Sequence, residues 1–186
     1  MALRKVESST LDEYIKLREN SKELYEYING EIIRMWSPST AHQNVVFNLG
    51  IKLKEYFKKR KCAVMISPYD VFLSNDEIEE VQVVIPDISV MCKQEGFDEK
   101  RYKGVPTIIV EVLSNNIQDD TIRKFNVYLK YGVKEYWIIN PKDCSFQVHT
   151  YDMINETYVS SLQEPYTVLK SKLFKDLSID MNDIFE

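Results

Sequence analysis

The most apolar run of this chain, Ile108-Ile109-Val110-Glu111-Val112-Leu113, contains a single acid, Glu111. Preceded by Pro106 and closed by Ser114-Asn115-Asn116, a run this rich in β-branched side chains predicts a central strand buried on both faces. A carboxylate there must be paired, protonated or metal-bound, because an isolated buried charge costs far too much. Two other groups can serve it. Asp87 follows Pro86 at the start of the short strand pattern Ile88-Ser89-Val90-Met91 and supplies a second carboxylate. Lys124, on the segment Ile117 to Tyr131, supplies a cation. Two carboxylates can hold a magnesium ion, which keeps several waters and takes the rest of its shell from substrate phosphate. A lysine beside them orients the attacking water or offsets transition-state charge. That chemistry is phosphodiester hydrolysis, with Asp87 and Glu111 as metal ligands. The same residues also fit plain ion pairs: Glu111 with Arg123 or Lys124, and Lys124 with Asp120 one helical turn back.

The positioning elements follow from punctuation. Thr10 to Glu19 predicts a short helix with Thr10 as N-cap and Glu13 as its capping-box partner. Leu24 to Ile28 and Glu31 to Met35 flank Asn29-Gly30, the dipeptide suited to a type I′ hairpin turn. Ser37-Pro38-Ser39-Thr40 then caps a long helix with Val45, Val46, Leu49, Leu53, Tyr56 and Phe57 on its apolar face, ending near Lys59 to Lys61. Cys62 to Ile66 and Tyr69 to Leu73 predict one long or bent strand interrupted by Pro68, followed by an acidic turn over Asn75 to Glu80. Strands at Val81 to Ile85, Ile88 to Cys92 and Thr107 to Leu113 come next, with a polar loop from Lys93 to Gly104. The Lys124 helix puts Ile122, Phe125, Leu129 and Tyr131 on one face. Tyr136 to Ile139 is a further strand in which Trp137 is core, and Phe146 to Leu169 alternates as antiparallel strands at the sheet edge.

Composition narrows the class. At 186 residues the chain is one domain, 1–186, with enough apolar content to bury a core. It has no signal-peptide pattern after Met1 and no apolar run near the roughly 18 residues that span a bilayer. The expectation is a cytoplasmic protein without membrane contact. Cys62, Cys92 and Cys144 are odd in number and widely spaced, which predicts buried free thiols rather than a disulfide or zinc site. A net charge of −5 argues against broad, sequence-independent nucleic-acid affinity, which rests on Lys and Arg neutralising phosphates. The cluster Lys52, Lys54, Lys58-Lys59-Arg60-Lys61 reads first as a solvated helix C-terminus.

Pro86-Asp87, Ile109-Val110-Glu111-Val112-Leu113-Ser114, Asp120, Lys124, Tyr128, Gly132 and Glu135-Tyr136-Trp137 stand in an order that resembles the Uma-two family of restriction-endonuclease-like proteins, within the PD-(D/E)xK nuclease superfamily. The likeness takes in Tyr25-Glu26-Tyr27-Ile28-Asn29-Gly30-Glu31, Ser37-Pro38 and His42 upstream, and Ile179-Asp180 with Ile184-Phe185 downstream. It implies an α/β (α+β) restriction-endonuclease-like fold: a mixed central sheet flanked by helices, with an antiparallel extension. It further implies a magnesium- or manganese-dependent endonuclease acting on nucleic acid, chiefly DNA, and working as a homodimer. Asp87, Glu111 and Lys124 carry the site on this reading. The lysine of a standard Glu-x-Lys would fall at position 113, which is Leu113, so the resemblance implies a lysine migrated to Lys124. Glu31, His42, Asp120 and Tyr128 are supporting residues, each with a bland alternative. Glu31 reads as a solvent-facing strand residue, His42 as an exposed helix-start histidine, Asp120 as a helix N-terminal acid and Tyr128 as packing. The alternative function is a non-catalytic nucleic-acid-binding or interaction module that retains the nuclease fold.

Overall fold

The computed structural model describes residues 8–114, 118–163 and 167–185, with the side chains of 118–120 and 162–163 outside that description. Its elements are α1 (Leu11–Asn20), β1 (Tyr25–Ile28), β2 (Glu31–Arg34), α2 (Thr40–Phe57), β3 (Ala63–Ile66), β4 (Asp70–Asn75), β5 (Ile78–Val84), β6 (Ile88–Met91), β7 (Arg101–Lys103), β8 (Ile108–Val112), α3 (Gln118–Tyr131), β9 (Glu135–Asn140), β10 (Ser145–Asp152), β11 (Thr157–Gln163), β12 (Val168–Lys170), β13 (Ser178–Asp180) and α4 (Asn182–Phe185).

Local chemistry sets the early elements. The Thr10 hydroxyl accepts from Glu13 N–H at 3.2 Å while the Glu13 carboxylate accepts from Thr10 N–H at 2.7 Å, closing the capping box of α1. Asn29 and Gly30 both take positive φ, 52° and 79°, as the β1–β2 turn requires, and Ile28 pairs with Glu31 across it. Ser39 caps α2 through His42 N–H at 3.2 Å.

The principal sheet is mixed, in the order β11-β10-β9-β8-β6-β3. β8 lies inside it, antiparallel to β6 and parallel to β9. Its side chains alternate between two cores. Ile108, Val110 and Val112 pack with Val45, Leu49 and Leu53 of α2, whereas Ile109 packs with Val127, Tyr128 and Tyr131 of α3. Trp137 is fully buried in the α2 core. β10 and β11 form the antiparallel extension at one sheet edge.

A second sheet, β2-β1-β5-β4-β7, was not foreseen as separate. The bent strand read across Pro68 is two strands, β3 and β4, in different sheets. Proline has no N–H to continue a ladder, and the chain changes sheets at that point. β5 and β6 likewise belong to different sheets, joined by Ile85-Pro86-Asp87. The acidic turn shrinks to Asp76-Glu77 because β5 already begins at Ile78, its acids Glu79 and Glu80 facing solvent. The polar loop after β6 holds β7, which pairs parallel to β4. Beyond β11, β12 and β13 form a small antiparallel pair of their own, outside the principal sheet, and α4 packs on α2.

The free-thiol expectation is also corrected. Cys62 and Cys92 are joined by a disulfide, leaving Cys144 free. The two are far apart in sequence but flank the pair Ala63↔Met91 of the β3–β6 ladder, so strand register brings them together. Among the described residues, no helix is long and apolar enough to cross a membrane.

Candidate active site

Asp87 stands where the chain passes from one sheet to the other. Its Oδ2 accepts the backbone N–H of Val112 at 2.7 Å, against the peptide that links Val112 to Glu111, and meets His42 Nε2 at 3.1 Å. The α2 core thus delivers His42 to Asp87 from one side, and β8 delivers Glu111 from the other. His42 is buried rather than exposed.

Glu111 projects toward α3, on the face of β8 shared with Ile109. Its Oε1 accepts from Lys124 Nζ at 3.1 Å and from the Tyr128 hydroxyl at 2.6 Å. The side chain is 12% exposed. Burial pushes its pKa up to about 8, with Asp87 and Glu26 adding repulsion, while Lys124 and the Tyr128 hydrogen bond pull it down. Tyr128, beside the same carboxylate, is itself held well above the ordinary phenol value, first by burial. Its ring also packs edge-on against Tyr136, 5.0 Å between centroids. Tyr128 therefore packs and hydrogen-bonds at once.

Lys124 is 5% exposed, and the buried stripe of α3 runs Lys124, Val127, Tyr128, Tyr131, the i, i+3, i+4, i+7 spacing of a core-facing helix side. Ile122, assigned to that face from sequence, is 61% exposed. The sequence reading followed the apolar residues and so set the face off by part of a turn. A second carboxylate reaches the ammonium: Glu26 Oε1 lies 3.0 Å from Lys124 Nζ and accepts Ile85 N–H at 2.8 Å. Glu26 was quoted only as part of a motif, not as a site residue. Its signal was period two, since Glu26 shares the inward face of β1 with the core residue Ile28, while Tyr25 and Tyr27 pack on the opposite side toward α1.

Glu31 heads β2 half-exposed, its carboxylate 3.8 Å from Arg123, the residue before Lys124 in α3. Asp120 belongs to α3, but its side chain lies outside the described residues. Leu113 is partly buried in the α3-side core, which occupies the position a strand-borne lysine would take. The basic helix end is partly neutralised by the C-terminal segment, with Lys52 2.8 Å from Asp183 and Arg60 paired with Asp176.

The donor set suits a small hard cation. Asp87 spends Oδ2 and Glu111 spends Oε1 on internal bonds; among the described residues, Asp87 Oδ1 and Glu111 Oε2 accept none. Two carboxylate oxygens fit magnesium, which completes its octahedron with water and phosphate rather than with a protein cage. Among the described residues, no group of three or more His, Cys, Asp or Glu side chains is arranged to hold a metal.

The family model Uma2, described as "Putative restriction endonuclease", matches residues 11–182. The uncharacterized protein sll1609 of Synechocystis sp. is 25% identical over 150 residues, covering 79% of this chain and 82% of its own. A second Synechocystis sp. protein, uncharacterized protein slr1290, is 25% identical over 118 residues, 63% of this chain and 60% of its own. A crystal structure described as a putative nuclease belonging to DUF820, from Anabaena variabilis, superposes with a TM-score of 0.74 at 22% identity, covering 95% of this chain and 97% of that one. At that identity the superposition establishes the fold.

Proposed function

Since the chain belongs to the Uma2 family, we propose that it is a metal-dependent endonuclease in which Asp87 and Glu111 hold a magnesium or manganese ion and Lys124 is the water-orienting cation. One observation carries this reading: Asp87 is bonded to the peptide beside Glu111, Glu111 is bonded to Lys124, and among the described residues each carboxylate keeps one oxygen without a hydrogen-bond partner. A divalent ion bound there supplies a Lewis acid for the phosphate and lowers the pKa of a bound water. The chain's own groups do the rest. Val112 N–H and His42 fix the plane of the Asp87 carboxylate. Tyr128 fixes Glu111. Lys124 holds positive charge beside Glu111, where it would offset negative charge developing on a bound phosphate.

The reading entails a cytoplasmic protein acting on nucleic acid, in the first instance DNA. Cutting both strands of a duplex takes two sites or a rebinding step, for which a homodimer is the simplest assembly. The test is incubation of supercoiled and single-stranded DNA with magnesium, manganese, calcium or chelator. Magnesium and manganese should support cleavage; calcium should bind without turnover, because its looser shell positions water poorly. Cleavage that persists in both Asp87→Ala and Glu111→Ala would refute the site.

The placement of Lys124 between Glu26 and Glu111 also suits a second reading, a structural domain in which these side chains form only a buried ion network. Calorimetry with manganese separates the two, since such a network needs no metal.

A further inference from the structure

We infer that Glu26 is a positioning residue for Lys124, a role that rests on the nuclease reading above. A lysine borne on β8 at position 113 would rise from the same strand face as Glu111, two residues away, and its base would be fixed by the ladder. Lys124 comes instead from a helix. Its long flexible side chain, which loses rotamer entropy when held, must be brought to a defined point by what it touches. The ammonium lies between two carboxylate oxygens, Glu26 Oε1 at 3.0 Å and Glu111 Oε1 at 3.1 Å. Glu111 is a proposed metal ligand, so its orientation answers to more than the lysine. Glu26 is not one of the proposed metal ligands. It is buried, and the oxygen that meets Lys124 is also pinned by Ile85 N–H at 2.8 Å. Ile85 stands two residues before Asp87, in the link that presents that carboxylate. One atom of Glu26 therefore ties the lysine of α3 to the segment carrying the other metal ligand, and keeps in register two groups that arise on different elements. The β1–β5 ladder does not call for an acid at this place, since the next inward position, Ile28, is an ordinary core residue.

The experiment is a double-mutant cycle on the full chain, read by single-turnover DNA cleavage in manganese and by manganese calorimetry. Glu26→Gln keeps the volume and an acceptor for Ile85 N–H but removes the charge. Its cleavage rate at saturating manganese should fall at least tenfold, with manganese binding retained. In a Lys124→Ala background the same change should have no further effect on rate, because there is no longer a lysine to position. Glu26→Asp, which keeps the charge on a shorter arm, should cleave at an intermediate rate; it replaces Glu26→Gln in the cycle if that variant does not fold. Wild-type cleavage by Glu26→Gln, or rate losses that multiply with those of Lys124→Ala, would overturn the assignment while leaving the nuclease reading standing. Loss of manganese binding in Glu26→Gln would overturn it too, by making Glu26 part of the metal site. A wild-type protein that does not cleave would overturn both.

Discussion

Asp87 accepts the backbone N–H of Val112 at 2.7 Å, so one proposed metal ligand is bonded to the peptide that follows the other. This contact makes Asp87 structural as well as chemical, and the two roles separate by substitution. Asp87→Ala leaves a buried N–H without its acceptor and should cost about 1–3 kcal/mol of stability. Asp87→Asn retains an acceptor oxygen and should lose less than about 1 kcal/mol. Both should be inactive. Urea unfolding beside a cleavage assay decides; equal stability losses would show that the Val112 bond contributes little.

The raised Glu111 carboxyl predicts a particular pH response in metal-free protein. Below the ordinary carboxylate pKa of about 4.3, folded and unfolded chains are both protonated at this group and its contribution to stability is complete. As pH rises, the unfolded chain releases the proton first, and stability falls until the folded chain also ionises at about 8. At about 1.4 kcal/mol per unit the total is a few kcal/mol. Glu111→Gln should flatten this slope and be more stable than wild type near pH 8. Unfolding with chelator between pH 4.5 and 9 measures it, and parallel slopes in the two proteins would reject the assignment.

Metal binding should run opposite to stability. A cation requires ionised Glu111, so binding releases a proton and apparent manganese affinity should climb with pH until about 8, then level off. Tyr128→Phe removes a hydrogen bond that favours the carboxylate, and should shift this curve to higher pH. Calorimetry in buffers of different ionisation enthalpy counts the protons; no release at pH 6.5 would sink the idea.

If Lys124 does the work of a lysine at 113, Lys124→Ala should lose most of its cleavage rate, leaving a slow measurable turnover, but retain manganese affinity. Leu113→Lys added to Lys124→Ala should regain part of the rate, because position 113 shares the strand face of Glu111. Leu113 is partly buried, so a longer charged chain there is strained and recovery should be incomplete. Full activity in the single Lys124→Ala variant would end the proposed mechanism.

Reduction of Cys62–Cys92 should destabilise the fold. The bridge closes a loop with a sequence separation of 30, worth about 3–4 kcal/mol on the chain-entropy account. Cytoplasmic thiols are kept reduced, so the bridge bears on the proposal that the protein works there. Thermal melts with and without dithiothreitol, and of Cys92→Ser, provide the comparison; coincident melts would mean the ladder alone holds this edge.

What could be read from sequence was whatever depends on local chemistry. Thr10 with Glu13, Asn29-Gly30 and Ser39 act within a few residues, and each predicted boundary lies close to the observed one. Glu111 stood out because a charge in a β-branched run has few resting places. Glu26 was missed because its strand is short and lies beside tyrosines, so its inward position shows only once β1 is packed against α3. The lysine stripe was misjudged for a related reason: the face was taken from hydrophobic residues, although a paired lysine can be as buried as a valine. Pro68 marks a break between β3 and β4, but nothing local says that they join different sheets or that Cys62 and Cys92 are neighbours, because both facts arise from long-range strand pairing.

The link Ile85-Pro86-Asp87 joins strands of two different sheets, and the Asp87 carbonyl accepts Ser67 N–H at 3.0 Å from the other such link, at Ser67-Pro68. The two crossings thus brace each other beside the charged cluster. Their lengths are accordingly not adjustable: one inserted residue at either would move Asp87 away from the Val112 peptide and Glu26 away from Lys124. The hairpin tips at Asp76-Glu77 and Met153 to Glu156 are exposed and remote from these bonds, and there the chain can lengthen freely. Length variation among natural variants of this fold should therefore gather at those tips and spare the two crossings, even where the residues around them change.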